Sequence, residues 1–193
     1  PFVVPLDASA ACPARTQTTP FAIFGDTSPY FLAPNGGFES GATGWTLAGG
    51  ARIGSTNESW KVGGSTNTRS AVLPVASGAT ATSSLFCVSM ATPSIRLFFR
   101  SDAFGINDWG YVSVVAHYYD DVTGADLGTM YLTDLQRHDG AWVPTNPIDL
   151  VVSGPLNGGN RTSANARLIF TAHGAGGGTF TVDDVYVDPW RCC

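Results

Sequence analysis

Short apolar or alternating runs recur along the chain, with clusters of glycine, serine, threonine and asparagine between them. Runs of this length, bounded by turn-forming residues, are typical of β-strands rather than helices. The pattern predicts strands near residues 37–48, 59–63, 69–75, 81–90, 94–101, 111–120, 127–134, 147–152, 165–172 and 179–187. Many short strands without a convincing helix predict an all-β chain, folded as an antiparallel sandwich of two sheets.

The last predicted strand carries two adjacent aspartates. Side chains alternate in direction along a strand, so Asp184 is expected on one face with Phe180, Val182 and Tyr186, and Asp183 on the other. At least one of the two carboxylates then lies among apolar neighbours. Because an unpaired buried charge is costly, that carboxylate requires a cation, a metal ion or several hydrogen-bond donors.

Residues 1–33 differ from the rest of the chain, with five prolines and two short apolar runs at 2–4 and 21–24. Proline interrupts helices and central strands, so this segment is predicted to be an extended arm. The arm either wraps its own sandwich, held through Cys12, or docks on another copy of the protein. The predicted organisation is an arm over 1–33, a jelly-roll sandwich over 34–190 and a cysteine-containing tail over 191–193.

The composition narrows the classes of partner. The chain has 193 residues, which fits one domain. Charged residues make up 13% of it, the net charge is −5 and Lys61 is the only lysine. Nucleic acid is therefore not an expected partner, because no basic cluster is present to follow a phosphate backbone. No apolar run approaches the roughly 20 residues of a membrane-spanning helix.

Four cysteines, Cys12, Cys87, Cys192 and Cys193, lack the paired spacing of a zinc site and favour disulfides in an oxidising compartment. A bond between the adjacent Cys192 and Cys193 would be strained, so Cys12 and Cys87 are each expected to pair with one of these two. Free thiols in a cytosolic protein and a bond to a neighbouring subunit are the alternatives. The start at Pro1, without methionine, agrees with an exported protein whose signal has been removed.

Two segments carry a resemblance to a known family. Residues 35–41 read Asn-Gly-Gly-Phe-Glu-Ser-Gly and are followed by Trp45, and residues 180–187 read Phe-Thr-Val-Asp-Asp-Val-Tyr-Val. These segments resemble the opening and closing strands of the jelly-roll carbohydrate-binding modules of secreted bacterial proteins. The resemblance spans about residues 34–189 and is weak in the middle; it implies an antiparallel jelly roll of at least about eight strands.

The resemblance also implies a structural calcium ion. In many such modules the opening glutamate and one aspartate of the closing pair help to hold calcium, and the matching residues here are Glu39 and Asp183 or Asp184. Carboxylate and carbonyl oxygens are the ligands that calcium prefers. The alternative is that these acids accept backbone N–H groups at the end of a sheet.

Sugar binding by such a module would need exposed aromatic rings beside amides and carboxylates. The loop at 102–110 brings Phe104, Asn107, Asp108 and Trp109 together in sequence, and Trp60 and Tyr131 are further candidates. Trp45 and Trp142 lie in strand-like segments and are expected in the core.

The sequence contains no nucleophile elbow, zinc-protease motif or phosphate-binding loop, so no catalytic activity is predicted. The three histidines are far apart; His117 is expected to be packed or hydrogen-bonded and His173 to be solvated. Two functions remain. The first is an extracellular structural subunit that assembles into a fibre, its arm adding as a strand to a neighbouring copy. The alternative is a secreted carbohydrate-binding module.

Overall fold

The computed structural model describes residues 12–89, 94–102, 104–105, 108–136, 139–150 and 162–188. Over these residues the chain forms thirteen strands and one short 3₁₀ turn, Ala22–Phe24, with no α-helix. The strands are β1 (Phe31–Leu32), β2 (Trp45–Ala48), β3 (Arg52–Gly54), β4 (Ser70–Pro74), β5 (Thr80–Ser83), β6 (Phe86–Ser89), β7 (Ser94–Asp102), β8 (Trp109–Tyr119), β9 (Asp126–Leu135), β10 (Val143–Pro144), β11 (Ile148–Asp149), β12 (Ser163–Ala175) and β13 (Thr179–Asp188).

The strands form two antiparallel sheets. Sheet I has the order β10-β7-β13-β4-β3, with β1 beside β13 and β11 beside β7. Sheet II has the order β2-β5-β12-β8-β9, with β6 beside β12. The predicted all-β antiparallel sandwich is confirmed. No helix among the described residues is long and apolar enough to cross a bilayer.

The two sheets bury a common core between them. In β8 the even-numbered residues Val112, Val114, Ala116 and Tyr118 are fully buried, while the odd-numbered residues are partly or mostly exposed. β12 alternates in the same way. This period of two places one face of sheet II on the core and leaves the other face open. We call the outer side of sheet II the open face.

The outer side of sheet I is covered by the arm. Thr18 and Tyr30 form an isolated antiparallel β-bridge within the arm. The side chains of Phe21 and Tyr30 are buried against the sheet. This second buried cluster consists of Phe21, Tyr30, Phe98, Trp142 and Tyr186. The described part of the arm therefore lies on its own sandwich, which is the first of the two arrangements predicted for it.

An ion pair fixes the arm. The Asp26 carboxylate accepts hydrogen bonds from the Tyr30 hydroxyl and the Arg96 guanidinium, each at 2.6 Å. Arg96 also donates to the Thr145 carbonyl at 3.0 Å and lies 4.1 Å from the centre of the Phe21 ring. Partial burial acts to raise the pKa of Asp26, but hydrogen bonds from Tyr30, Ser28 and Arg96 outweigh it and hold the pKa below its ordinary value.

Replacing Asp26 by asparagine is expected to lower the free energy of unfolding by about 1–2 kcal/mol at pH 7, because it leaves the largely buried Arg96 charge unpaired. The wild-type contribution is present above the unfolded-state pKa and is lost as the pH falls through the depressed folded-state pKa. Urea denaturation at pH 7 and pH 3 measures both effects. Asp149→Asn, at an exposed site, is the control and should leave stability unchanged. Equal stability of the two variants at pH 7 would contradict the conclusion that the Asp26–Arg96 ion pair holds the arm on the sandwich.

The predicted cysteine pairing is wrong. Cys12 is bonded to Cys87, with 5.5 Å between the Cα atoms and 75 residues between them in sequence. The reason is that the arm leads back to β6 at the edge of sheet II, so the two cysteines meet. In the chain-entropy account, closing a loop of this length contributes about 4 kcal/mol. Cys192 and Cys193 lie outside the described residues.

Three predicted strands also differ from the structure. The predicted strand at 81–90 is divided into β5 and β6. Residues 59–63 form turns, since the Glu58 carboxylate accepts the N–H groups of Trp60 and Val62 and Lys61 has a φ of 52°. The predicted strand at 37–48 begins only at Trp45. Its first half consists of turns. Just before it, the Ala33 N–H donates to the Val185 carbonyl of β13, and the Val185 N–H donates to the Gly36 carbonyl.

Candidate functional site

The open face carries a group of stacked aromatic side chains. β8 and β12 pair without interruption from Tyr119 opposite Asn165 to Trp109 opposite Ala175, which sets Tyr111 against His173. The Tyr111 and His173 rings are 4.7 Å apart and nearly parallel, and the Trp109 ring lies 6.3 Å beyond Tyr111 at an angle of 22°. These three rings form one continuous stack at one end of the open face.

The edge strand β9 extends this aromatic surface. Tyr131 lies opposite Val115 and is 59% exposed, and Trp109 is 55% exposed. Asp134 lies opposite Ser113, whose hydroxyl is 2.9 Å from Nε2 of His173. Exposed rings therefore stand beside a carboxylate and a hydroxyl group.

The other end of the open face is polar and charged. His117 Nε2 is 2.9 Å from the Asp126 carboxylate, and its Nδ1 is 3.2 Å from the Tyr119 hydroxyl. The His117 and Tyr119 rings stack at 4.5 Å. Arg167 lies 5.7 Å from the Tyr119 ring, and its buried Nε has no hydrogen-bond partner among the described residues. The hydrogen bond from His117, followed by that from Gly128, lowers the pKa of Asp126.

Only one residue of the predicted sugar-binding loop lies on this face in the described structure, and that residue is Trp109. Phe104 packs against Phe180 with 5.4 Å between ring centres, and it fills the space beside Gly178, where a Cβ would come within 2.5 Å of the ring. Asp108 accepts the N–H groups of Gly105 and Gly177 and so ties two turns together. Asn107 lies outside the described residues.

Trp60 lies elsewhere. Its ring is 5.0 Å from Phe24 and 5.6 Å from Phe98, on the side of sheet I that the arm covers. The structure therefore does not bring Trp60 and Trp109 together. Trp45 and Trp142 are buried, as predicted. His117 is hydrogen-bonded as expected, whereas His173, expected to be solvated, is half-buried in the ring stack.

A second feature is a group of buried carboxylates in and beside the closing strand, β13. Glu58, Asp183 and Asp184 are all almost fully buried. Asp183 accepts the N–H of Glu58 at 3.0 Å and that of Asp184 at 2.8 Å, and Asp184 accepts the N–H of Gly63 at 3.2 Å through Oδ2. The other oxygen of Asp184, Oδ1, is buried and has no hydrogen-bond partner among the described residues.

The strict alternation predicted for the closing strand is interrupted here by a register shift between Asp183 and Tyr186. The irregularity changes which residues face the core: Phe180 and Val182 do so before it, and Val185 and Val187 after it. Tyr186, expected on the same face as Phe180 and Val182, therefore lies in the second buried cluster, and both aspartates are buried because residues 180–187 are buried on both faces. Glu39 lies nearby in the opening loop, where its Oε1 accepts the N–H groups of Thr68 at 2.8 Å and Arg69 at 2.7 Å.

The backbone around these carboxylates is strained. A Cβ at Gly37 would lie 2.8 Å from Oδ1 of Asp184, and one at Gly63 would lie 2.6 Å from it, so both positions require glycine. Among the described residues other than glycine, positive φ angles occur at Asn35, Phe38, Lys61 and Asp184. All of these belong to the loops and strand that enclose the carboxylates. Strain concentrated in this way is characteristic of functional or ligand-holding sites.

The electrostatics of the carboxylates favour either protons or a cation. Burial and the neighbouring Asp184 charge raise the pKa of Asp183 to about 9. Burial, together with the charges of Glu58 and Glu39, raises the pKa of Asp184 to about 7. Burial also raises the pKa of Glu58. In the described part of the chain, no lysine, arginine or histidine forms a salt bridge with these acids.

The donor chemistry fits calcium. Oδ1 of Asp184 and Oδ1 of Asn57 are buried oxygens with no hydrogen-bond partner in the described part of the chain, and buried acids lie close by. No three His, Cys, Asp or Glu side chains of the described residues are grouped so that they could hold a metal by themselves. Calcium takes six to eight oxygens, commonly including backbone and amide carbonyls, so a full shell here requires such oxygens besides the carboxylates.

Comparison with known proteins bears on the fold. No protein-family profile matches the sequence, and no curated protein matches it. The solved structures that resemble the chain include the enzymatically active domain of tailspike protein 4 from bacteriophage CBA120, at 15% identity and a TM-score of 0.52, covering 81% of this chain and 21% of that one. The chain thus spans about a fifth of that tailspike domain.

Two carbohydrate-binding modules are also similar. One is a family 28 module described as specific for non-crystalline cellulose, at 12% identity and a TM-score of 0.49, covering 81% of this chain and 94% of that one. The other is the family 22 xylan-binding domain of Paenibacillus barcinonensis Xyn10C, at 13% identity and a TM-score of 0.47, covering 77% of this chain and 88% of that one. Several of the other similar structures are also carbohydrate-binding modules. At these identities the likeness concerns the fold alone.

Proposed function

We propose that the chain is a secreted, non-catalytic module that binds a polysaccharide on the open face of sheet II. The observation that carries this proposal is the aromatic surface of Trp109, Tyr111 and Tyr131, of which Trp109 and Tyr131 are more than half exposed, on a sheet face that no other described segment covers. Exposed aromatic groups next to polar groups mark binding surfaces on soluble proteins. Sugars suit such a surface because their C–H faces pack on rings while their hydroxyl groups form hydrogen bonds.

The dimensions of the open face favour a chain-like ligand. β8 runs from Trp109 to Tyr119, a length of about 33 Å at roughly 3.3 Å per residue. Hydrogen-bonding groups follow the same line, from the Ser113–His173 pair to the His117–Asp126 pair and Arg167. A polysaccharide lying along β8 would therefore meet rings at one end and charged hydrogen-bonding groups at the other.

The fibre hypothesis is less well supported. It required the arm to add as a strand to a neighbouring copy, but residues 12–33 contact their own sandwich through β1, the second buried cluster and the disulfide. The same disulfide is compatible with secretion. The absence of catalytic activity stays a prediction, since one of the similar structures is the enzymatically active domain of a tailspike protein.

For the carboxylates in and beside the closing strand we propose a structural calcium ion. Asp184 would supply a ligand through its unpaired Oδ1, with Asp183, Glu58 and Glu39 contributing negative charge or further oxygens. The ion would neutralise acids that burial otherwise drives towards protonation, and it would hold the opening loop on the closing strand. The calcium ion would lie at β13 of sheet I, whereas the proposed sugar surface is on sheet II, so the ion would not contact the sugar.

Affinity electrophoresis tests the proposed function. The purified protein is run through native gels that contain cellulose derivatives, xylan, galactan, mannan or mixed-linkage glucan, and is mixed with insoluble cellulose and xylan in pull-down assays. We expect retardation or capture by at least one neutral polysaccharide. Mobility equal to that of a non-binding reference protein in every gel, with no capture by either solid, would contradict the proposal.

A further inference from the structure

A cleft separates the two sheets along one side of the sandwich. It lies where the end of β9 in sheet II comes opposite β10 and β11 in sheet I, and it has a volume of about 570 Å³. Its walls are residues 132–136 and 143–149, and Phe99 forms part of its base. A volume of this size is within the usual range for small-molecule sites and has room for a short oligosaccharide.

The lining of the cleft combines an apolar base with polar walls. Phe99, Leu135 and Ile148 are almost fully buried and belong to the sandwich core. Gln136 and Asn146 also line the cleft, and no hydrogen bond within the described residues engages either side chain. The almost fully buried apolar base offers a sugar a packing surface, and the exposed amide groups, which form no hydrogen bond within the described residues, offer it hydrogen-bonding partners.

The charge of the lining restricts the ligand. Asp134 and Asp149 both line the cleft, while no lysine, arginine or histidine is among its described lining residues. An anionic ligand would be repelled, because neither carboxylate faces a compensating cation across the cleft. Hydroxyl groups suit the same walls, since they donate to carboxylates and both donate to and accept from amides.

We infer that this cleft is a second binding site, for a short neutral sugar such as the end or a side branch of a polysaccharide. The inference rests on the proposed function, because it concerns the same ligand class. β9 is the wall between the two sites: Tyr131 belongs to the open face, and the next residue, Leu132, lines the cleft. One branched glycan could therefore occupy both sites, its main chain on the open face and a branch in the cleft, which would strengthen binding without further contacts.

Chemical-shift mapping tests the inference. ¹⁵N-labelled wild-type protein is titrated with neutral disaccharides of glucose, galactose, mannose and xylose, and with digalacturonic acid as the anionic comparison. We expect at least one neutral disaccharide to shift the amide signals of residues 132–136 and 143–149 at millimolar concentration, and digalacturonic acid to leave them unchanged. The double variant Gln136→Ala/Asn146→Ala should reduce the affinity measured from these signals by about tenfold or more, with an unchanged melting temperature. Trp109→Ala should leave this affinity as in the wild type.

The two proposals fail in different ways. If no neutral disaccharide shifts the cleft signals, or if the double variant binds as the wild type does, the second site is wrong even when polysaccharides still bind to the open face. If digalacturonic acid binds in the cleft as well as the neutral sugars do, the inference that the ligand is neutral is wrong. If the cleft signals shift but no polysaccharide is retained by the protein, the proposed polysaccharide binding on the open face is wrong, while the sugar site in the cleft remains supported.

Discussion

Replacing Trp109 by alanine is expected to weaken polysaccharide binding by about thirtyfold. The ring stands at the end of the stack with Tyr111 and is more than half exposed, so a sugar can cover it fully. Removing about 80 Å² of apolar contact at roughly 25 cal/mol per Å² costs about 2 kcal/mol, which corresponds to this loss of affinity. Isothermal titration with the polysaccharide that retards the wild type provides the measurement.

Trp60→Ala is the matched control for this change. Trp60 is 42% exposed, comparable with Trp109, but it contacts Phe24 and the covered side of sheet I. Its replacement should leave the affinity unchanged, and thermal melts should show that both variants remain folded. A Trp109→Ala variant that binds as tightly as the wild type, or a Trp60→Ala variant that loses binding instead, would place the sugar site elsewhere.

Removing calcium is expected to lower the melting temperature of the wild type by about 5–10 °C. A ligand present at a hundred times its dissociation constant stabilises the folded state by about 2.7 kcal/mol, and each kcal/mol shifts the midpoint of a domain of this size by about 2–4 °C. The physical source is the relief of repulsion among the buried acids near Asp183 and Asp184. Differential scanning calorimetry in excess calcium and in excess chelator compares the two states.

The variant Asp184→Asn tests whether the Asp184 carboxylate is a metal ligand or only accepts hydrogen bonds. Asparagine tolerates the positive φ of 47° at this position and keeps the shape of the side chain. We expect its melting temperature to be insensitive to calcium and, in chelator, at least equal to that of the wild type, because a buried charge has been removed. Asp108→Asn, an acid that accepts two backbone N–H groups near the surface, should keep the calcium effect.

Equal midpoints of the wild type in calcium and in chelator would contradict the calcium proposal. The acids of the closing strand and Glu39 would then act only as acceptors of backbone N–H groups, the alternative that the sequence also allowed.

The sequence predicts those parts of the fold that depend on local pattern. Runs of β-type residues bounded by turn formers identify β8 and β13 as strands, because such runs are a local property of the sequence. The opening loop and the closing strand were correctly placed together, since Val185 pairs with Gly36. The segment at 59–63 was assigned to a strand because its apolar residues are β-type, whereas the Glu58 carboxylate fixes it as turns.

The functional surface depends on pairing between distant segments, which composition does not reveal. Tyr111 and His173 meet only because β8 and β12 pair in one particular register. Likewise, Glu58 reaches Asp183 across 125 residues, and Cys12 meets Cys87 because the arm returns to the edge of sheet II. The signal that was present in the sequence was the odd-numbered row Trp109, Tyr111, His117 and Tyr119 of β8, whose shared direction follows once the strand is recognised.

The uninterrupted ladder between β8 and β12 has a consequence for the thermodynamics of recognition. Backbone amides at the centre of such a ladder are expected to exchange with deuterium only on global unfolding, so the surface built on them is preorganised. Little conformational entropy is then lost in the protein when a glycan docks, and most of the ordering cost falls on the glycan itself. Polysaccharides that are stiff and extended before binding should accordingly be favoured over flexible ones of the same composition.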